Sequence, residues 1–211
     1  DIELNDDGLA IPPSPDATYS VTVSVIATDR QGNPVLPGTQ INFGLIDEPQ
    51  ATGVGDYYIA GGDGDPEEGG TVFRAINVQF KTAGGGVGPG DTLVVFGEDV
   101  VGNREMESAR TVREVFSETS LGVDYRFNLN DTTGVNVDYQ GILPYIVGRA
   151  ADGNIVATAT TNEIGVAVTK MNYPVSKLGK VAVIWAQGDR AMDAGGSPRK
   201  VTDVEFAYFS G

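Results

Sequence analysis

Apolar and polar residues alternate along much of the chain with a period of two. The clearest case is TYSVTVSVI, where every second residue from Tyr19 to Val25 is apolar and the residues between them are serine or threonine. Successive side chains of a strand point to opposite faces, so this pattern predicts a half-buried strand. Similar apolar runs predict strands in TQINFGLI, TVFRAINVQF, GDTLVVFGED, SARTVREVFS, ILPYIVGRA, IVATATTN, GVAVTKMNY, KVAVIWAQG and KVTDVEFAYF. No segment of ten or more residues shows a convincing helical period, which predicts an all-β protein.

Glycine-rich turns separate the predicted strands. The 211 residues include 29 glycines and 11 prolines, a composition that disfavours long helices. Two phrases, ATDRQGNPV and RAADGNIVA, place an acidic residue and Gly-Asn between strand-like segments. Gly32 and Gly153 are predicted to take positive φ there, as tight hairpin turns require.

The order of strands and turns suggests an internal repeat. Residues 90–116 align with residues 179–206: in each, a glycine precedes an apolar strand, a charged loop follows, and another strand ends the segment. The predicted division is an extended N-terminal arm at 1–17, a first domain at 18–118 and a second at 119–211. A long acidic, glycine-rich stretch at about 47–83 is interpreted as an insertion in the first domain.

The turn motifs resemble those of a known family. The segment RAADGNIVATATTNEIGVAVTKMNYPVSKLGKVAVIWAQG is similar to the bacterial Ig-like domains of invasins and intimins, which carry a D-x-x-G-N-x-V turn, a T-(D/N)-x-x-G-x-A turn and a G-x-x-x-V-x-A strand. The matching residues of the first copy are Asp29, Gly32, Asn33 and Val35. Those of the second copy are Asp152, Gly153 and Asn154, in a turn shorter than the family motif, and then Thr161, Asn162, Gly165, Ala167, Gly179, Val183 and Ala186.

This resemblance implies both a fold and a function. The expected fold is two tandem antiparallel Ig-like β-sandwiches. The expected function is that of a non-enzymatic structural or adhesive module, located outside the cell or on the bacterial surface. The expected partners are other protein domains or copies of the chain, with a host or matrix receptor as a further possibility.

Charge and composition exclude several functions. The net charge of −15 disfavours nucleic acids and anionic membranes as partners. The chain has no histidine and no cysteine, which removes the Ser-His-Asp arrangement, most zinc sites and disulfides. No apolar run approaches the roughly 18 residues that span a bilayer. We therefore expect neither an enzyme nor a membrane-inserted chain.

One acidic loop is a candidate calcium site. Calcium prefers six to eight oxygen ligands, and GGDGDPEEGG concentrates carboxylates. The loop departs from the calcium helix-loop-helix pattern, which needs glycine at Glu68 and glutamate at Arg74. The sequence is compatible with either a solvated loop or a weak calcium site, and calcium is the one cofactor that it suggests. The candidate ligands are Asp63, Asp65, Glu67 and Glu68.

Other residues are candidates for contact with partners. Tyr57 and Tyr58 form an apolar island in the predicted insertion, whereas the lone Trp185 lies in a core strand and is expected to pack inside. The N-terminal arm offers apolar anchors that could pair with the edge of its own domain or of another copy. That second arrangement gives the alternative function, a self-assembling filament subunit that exchanges its N-terminal strand. A carbohydrate-binding accessory module ranks third because no exposed aromatic row is evident. The arm anchors are Ile2, Leu4, Leu9 and Ile11.

Overall fold

The protein is all-β and its strands pair antiparallel. The computed structural model describes residues 17–29, 31–58, 71–75, 78–82, 86–98, 105–125, 143–150, 154–175, 181–192 and 198–208. These residues contain no α-helix, as the sequence predicts. The strands are β1 (Thr18–Ile26), β2 (Gln40–Tyr58), β3 (Val72–Ala75), β4 (Thr92–Glu98), β5 (Glu105–Ser117), β6 (Ser120–Val123), β7 (Leu143–Ala150), β8 (Thr158–Thr160), β9 (Val166–Pro174), β10 (Val181–Met192) and β11 (Pro198–Tyr208).

The strands form a two-stranded sheet and a larger curled sheet. β1 pairs with β9 along its whole length, from Thr18↔Pro174 to Ile26↔Val166. In the larger sheet, β2 pairs with β8 and β10 near its start, with β7 in its middle and with β3 at its end. The path from β2 through β10, β11, β5, β4 and β7 leads back to β2, so the larger sheet curls round.

Buried apolar side chains form three clusters. The sandwich core lies between the β1–β9 sheet and the first half of β2 with β10, and it includes Ile41, Phe43, Leu45, Ile155, Ala167, Met171, Tyr173, Ala182 and Ile184. We call residues 47–149 the lobe. The lobe core includes Phe73, Phe80, Val87, Leu93, Val95, Val112, Leu121, Val123, Tyr145 and Val147. The junction core between them consists of Ile46, Val94, Ala109 and Val183.

Two strands are buried on both faces because each separates two cores. In β4, Leu93 and Val95 belong to the lobe core, whereas Val94 belongs to the junction core. In β10, Val183 faces the junction core and its neighbours Ala182 and Ile184 face the sandwich core. A strand covered on both sides has few polar positions, which explains the continuous apolar runs TLVVF and VAVIWA.

The prediction of two tandem Ig-like sandwiches is not confirmed. Among the described strands, pairing crosses the predicted boundary between residues 118 and 119 in eight places: β1–β9, β2–β7, β2–β8, β2–β10, β3–β6, β4–β7, β5–β6 and β5–β11. The boundary itself falls in the turn between β5 and β6, which pair with each other at Val115↔Leu121. The sandwich core combines residues 23–45 with residues 155–207, whereas the lobe core draws on residues 73–147.

The stretch interpreted as an irregular insertion begins as regular strand. β2 continues through residues 47–58, and β3 lies further along the same stretch. Pairing between β2 and β7 shifts register on either side of Glu48 and Pro49. A bulge tolerates a proline, which has no N–H to donate, so Pro49 does not end the strand. The N-terminal arm at 1–16 and the loop at 59–70 lie outside the described residues.

A glycine allows the single tryptophan to pack in the interior. Trp185 is directly paired with Gly44 of β2, and its side chain packs against the junction core. A Cβ added at Gly44 would lie 2.1 Å from Cζ2 of the indole. The indole Nε1 is buried and has no hydrogen-bond partner. The expected core position of Trp185 is therefore partly confirmed, since this ring is only half-buried.

We predict that Gly44→Ala destabilises the protein by about 1–3 kcal/mol, because the added methyl group must displace a packed ring. Urea unfolding followed by tryptophan fluorescence measures the change. Gly88→Ala is the control, since no atom lies within 4 Å of a Cβ at that position. Equal stability of the two variants would show that the indole does not lie against Gly44.

Candidate functional site

The turn after β1 is held by one aspartate side chain. Oδ1 of Asp29 accepts hydrogen bonds from the backbone N–H groups of Gln31 and Asn33, each at 2.9 Å. Gly32 has φ of +85°, which confirms the positive φ predicted for it. The hydrogen bonds from Asn33 are the main reason why the pKa of Asp29 is lowered from 3.8, so its carboxylate stays ionised at neutral pH.

The turn before β9 repeats this geometry with asparagine. Oδ1 of Asn162 accepts from the N–H groups of Ile164 and Val166, each at 3.0 Å. Gly165 has φ of +76° and occupies the same fourth position as Gly32. The structural counterpart of the first turn is therefore the turn at 162–166, whereas Gly153 lies outside the described residues.

The two turns lie against each other at one end of the sandwich, which we call the turn end. The N–H of Ala27 donates to the carbonyl of Gly165 at 2.8 Å. The buried hydroxyl of Thr161 donates to the carbonyl of Leu36 and accepts from the N–H of Thr39, at 2.8 and 3.1 Å. Hydrogen bonds between segments distant in sequence thus fix the shape of this end.

Both ends of the described chain lie at the opposite end, which we call the base. β1 starts there, because Thr18 pairs with Pro174 at the far end of β9. β11 finishes there, because Tyr208 pairs with Val181 at the start of β10, while Gly188 near the end of β10 pairs with Ile41 at the turn end. The turn end is therefore the part of the sandwich furthest from residues 18 and 208.

A groove of about 870 Å³ opens at the turn end between the end of β1 and the ends of β10 and β11. Its apolar lining includes Val25, Val35, Ile41, Ala186 and Val201. Three aspartates also line it, Asp29, Asp189 and Asp203, and no lysine or arginine is found among its described lining residues. Lys200 forms an ion pair with Asp189 from the neighbouring strand.

Large apolar side chains are exposed at the turn end, and two of them, Ile26 and Val201, line the groove. Ile26, Leu36, Ile164 and Val201 are exposed by 70, 80, 65 and 51%. A single exposed apolar residue is normal on a protein surface, but several at one end of a domain mark a surface that contacts other proteins. The turn end is therefore the candidate functional site.

A polar seam, absent from the sequence-based predictions, joins the lobe to the sandwich. The guanidinium of Arg110, only 3% exposed, donates to the carbonyls of Ala109 and Tyr125 at 2.7 and 3.2 Å. Nε2 of Gln187 donates to the same Ala109 carbonyl and to the hydroxyl of Thr202. β5 and β11 share one backbone pair here, so these side chains supplement a short ladder.

Most of the site residues predicted from the sequence fall outside the described part of the chain. These are the candidate calcium ligands Asp63, Asp65, Glu67 and Glu68 and the arm anchors Ile2, Leu4, Leu9 and Ile11. Tyr57 and Tyr58 are the last residues of β2 and pair through their backbones with Phe73 and Val72. Among the residues that are described, no three potential ligands gather around a metal position. Calcium binding stays a prediction.

Comparisons with protein-family models, with curated proteins and with solved structures found no match to this chain. The resemblance to invasin and intimin domains therefore rests on the turn motifs alone. Within the described ranges, no helix has the length and hydrophobicity needed to cross a membrane.

We predict that Gly165→Ala destabilises the protein more than Gly32→Ala. Both substitutions place a side chain at positive φ, which costs about 1–2 kcal/mol. A Cβ at Gly165 would also lie 2.5 Å from the carbonyl oxygen of Ala27, whereas nothing lies within 4 Å of one at Gly32. Thermal unfolding of the two variants, compared at equal concentration, tests this. Equal losses would mean that the two turns are not in contact.

Proposed function

We propose that the chain is a non-enzymatic adhesive module of a bacterial surface protein, which contacts its partner with the turn end of one Ig-like sandwich. The motifs that resemble the invasin and intimin family support this proposal through their positions. The turn at Asp29–Val35, the turn at Thr161–Ala167 and the strand residues Val183 and Ala186 all belong to one sandwich. Together they supply the two turn motifs of a single Ig-like copy and part of its strand motif, in which Ala186 comes one position later than the family spacing.

In this proposal the lobe is an insertion into the Ig-like sandwich, so the chain holds one copy and not two. Ile46 and Ala150 are paired neighbours on β2 and β7, so the chain leaves the sandwich and returns to it at adjacent positions. Residues between them build the lobe core. Insertion between adjacent strand positions is well tolerated when the ends of the inserted part lie close together.

One observation carries the functional proposal: the three most exposed large apolar side chains among the described residues, Leu36, Ile26 and Ile164, all lie at the turn end. Exposed apolar side chains beside a cleft form the kind of surface that binds another protein. The apolar character of the turn end and the groove beside it both fit a contact surface for a partner protein.

The proposal predicts that a bulky group at the turn end blocks adhesion and that the same group near the base does not. The chain has no cysteine, so a single introduced one can be labelled selectively. Leu36→Cys places a polyethylene glycol chain at the turn end, and Asn172→Cys places it on an exposed position of β9 near the base. Each variant is displayed on a non-adherent bacterium, and attachment to cultured epithelial cells and to immobilised matrix proteins is counted.

We expect the unlabelled protein to confer attachment, the label at residue 36 to reduce it by at least about tenfold, and the label at residue 172 to leave it unchanged. Tenfold corresponds to about 1.4 kcal/mol of lost binding free energy, a modest effect for a blocked interface. No attachment above that of the bare bacterium, or equal inhibition by both labels, would contradict the proposal.

A further inference from the structure

β1 has one edge that no described strand covers. Ala17 accepts a hydrogen bond from the N–H of Val175, and Ala27 donates to Gly165, so the odd-numbered residues of β1 direct their backbone groups towards β9. Backbone groups of alternate residues in a strand point to opposite edges. The N–H and C=O groups of the even-numbered residues, from Thr18 to Ile26, therefore point to the other edge. Such an edge is a template for an added strand.

β1 lacks the features that usually protect an edge strand. Its nine residues contain no charged residue and no proline, and its register with β9 continues without a bulge. Lysine, proline and bulges are the common means of preventing further pairing. A regular and uncharged edge in a chain of net charge −15 is therefore open to pairing.

The groove continues from this edge. It is lined by residues of β1, β10 and β11, by Ile41 of β2 and by the segment that follows β1, but by no described residue of β9. It therefore lies towards the side of β1 that is away from β9. Ile26, whose backbone groups point to the uncovered edge, lines the groove together with Ala186 and Val201, so a strand added beside Ile26 would lie next to the groove. Its volume of about 870 Å³ lies within the range of ligand-binding clefts, roughly 300–1,000 Å³.

The charges around the groove indicate which kind of partner segment would bind beside β1. Three aspartates line the groove: Asp29, Asp189 and Asp203. Of these three, Asp189 is the one that forms an ion pair among the described residues, and its partner is Lys200. The hydrogen bonds that lower the pKa of Asp29 also keep its carboxylate charged at the rim. Complementary charges steer a partner to such a surface and fix its register. A basic segment is therefore favoured over an acidic one.

We propose that β1 and the groove bind an extended segment of a partner protein as an added antiparallel strand, in which lysine or arginine alternates with apolar residues. This inference rests on the proposed function and names the partner of the turn end. The backbone of the segment pairs with Ser24 and Ile26. Its apolar side chains contact Val201 and Ala186, and its basic side chains lie near Asp29 and Asp203.

The experiment uses the full chain and a defined probe, a seven-residue peptide of alternating lysine and valine with blocked ends and a fluorescent label. Binding is measured by fluorescence anisotropy. A peptide with glutamate in place of lysine tests the charge preference. A peptide methylated on alternate backbone nitrogens tests the strand pairing, since a methylated nitrogen cannot donate. We expect only the first peptide to bind, and its affinity to fall as salt is added.

The asparagine in the second turn supplies a matched variant. Because Asn162 holds its turn as Asp29 does, Asp29→Asn should keep the two backbone hydrogen bonds of the turn and lose the charge together with the hydrogen bond from Nδ2 of Asn33. We expect Asp29→Asn and Asp203→Asn each to weaken peptide binding by about twofold to fivefold, the range of exposed ion pairs. Asp91→Asn is the control, because Asp91 accepts a similar turn hydrogen bond but does not line the groove.

The remaining outcomes distinguish this inference from its alternatives. Equal binding of the lysine and methylated peptides, or equal effects of Asp29→Asn and Asp91→Asn, would overturn it. So would concentration-dependent dimers of the full chain, or peptide binding that appears only when residues 1–11 are deleted, since either result would assign the edge to the chain itself. If the bacterial attachment test succeeds while the peptide fails to bind, the proposed function stands and this inference is wrong.

Discussion

The continuity of β2 determines the rest of the structure. This strand has 19 residues, and each part of it must satisfy its backbone hydrogen bonds with a different neighbour. Its start pairs with β8 and β10, its middle with β7, and its end with β3. Since β8 and β10 come from the C-terminal half of the sequence, the N-terminal half cannot complete its own sheet. The sandwich and the lobe are therefore parts of one interleaved body.

The junction core connects the sandwich core and the lobe core by side-chain packing. Ile46, fully buried, lies where β2 passes from β10 to β7 and packs with Val94 and Val183. Burying side chains of this size contributes about 1.5–3 kcal/mol each. Losing the contact between sandwich and lobe would expose these side chains together with Trp185. Folding of either part is thus expected to depend on the other.

The sequence was sufficient to predict individual strands and one turn. Alternation predicted β1 and its inward-facing Val23 and Val25, which pack against the sandwich core. The Gly-Asn turn between two strand-like segments predicted positive φ at Gly32. These features are local, because they depend on residues within one strand or one turn. Alternation shows which side chains are buried but not which strand covers them. It therefore could not distinguish two consecutive sandwiches from a sandwich and a lobe whose strands pair across the predicted boundary.

The turn end was harder to predict for the same reason. The sequence matched the turn at Asp29 to Asp152-Gly153-Asn154, whereas its structural counterpart is the turn at Asn162, and the turns at Asp29 and Asn162 belong to one sandwich. Pro49 and the glycines around it suggested an irregular loop, whereas the backbone continues as strand. The groove combines residues from β1, β10 and β11, and only long-range pairing brings those strands together.

The interleaved pairing of strands is tested most directly by producing residues 1–118 and residues 119–211 separately and asking whether each half folds. Two-dimensional NMR spectra of the halves show whether each has the dispersed signals of a folded domain. The interleaved arrangement predicts that neither half folds alone, because β1 lacks β9 and the start of β2 lacks β8 and β10. Well-dispersed spectra from both isolated halves, each with a cooperative unfolding transition, would contradict it.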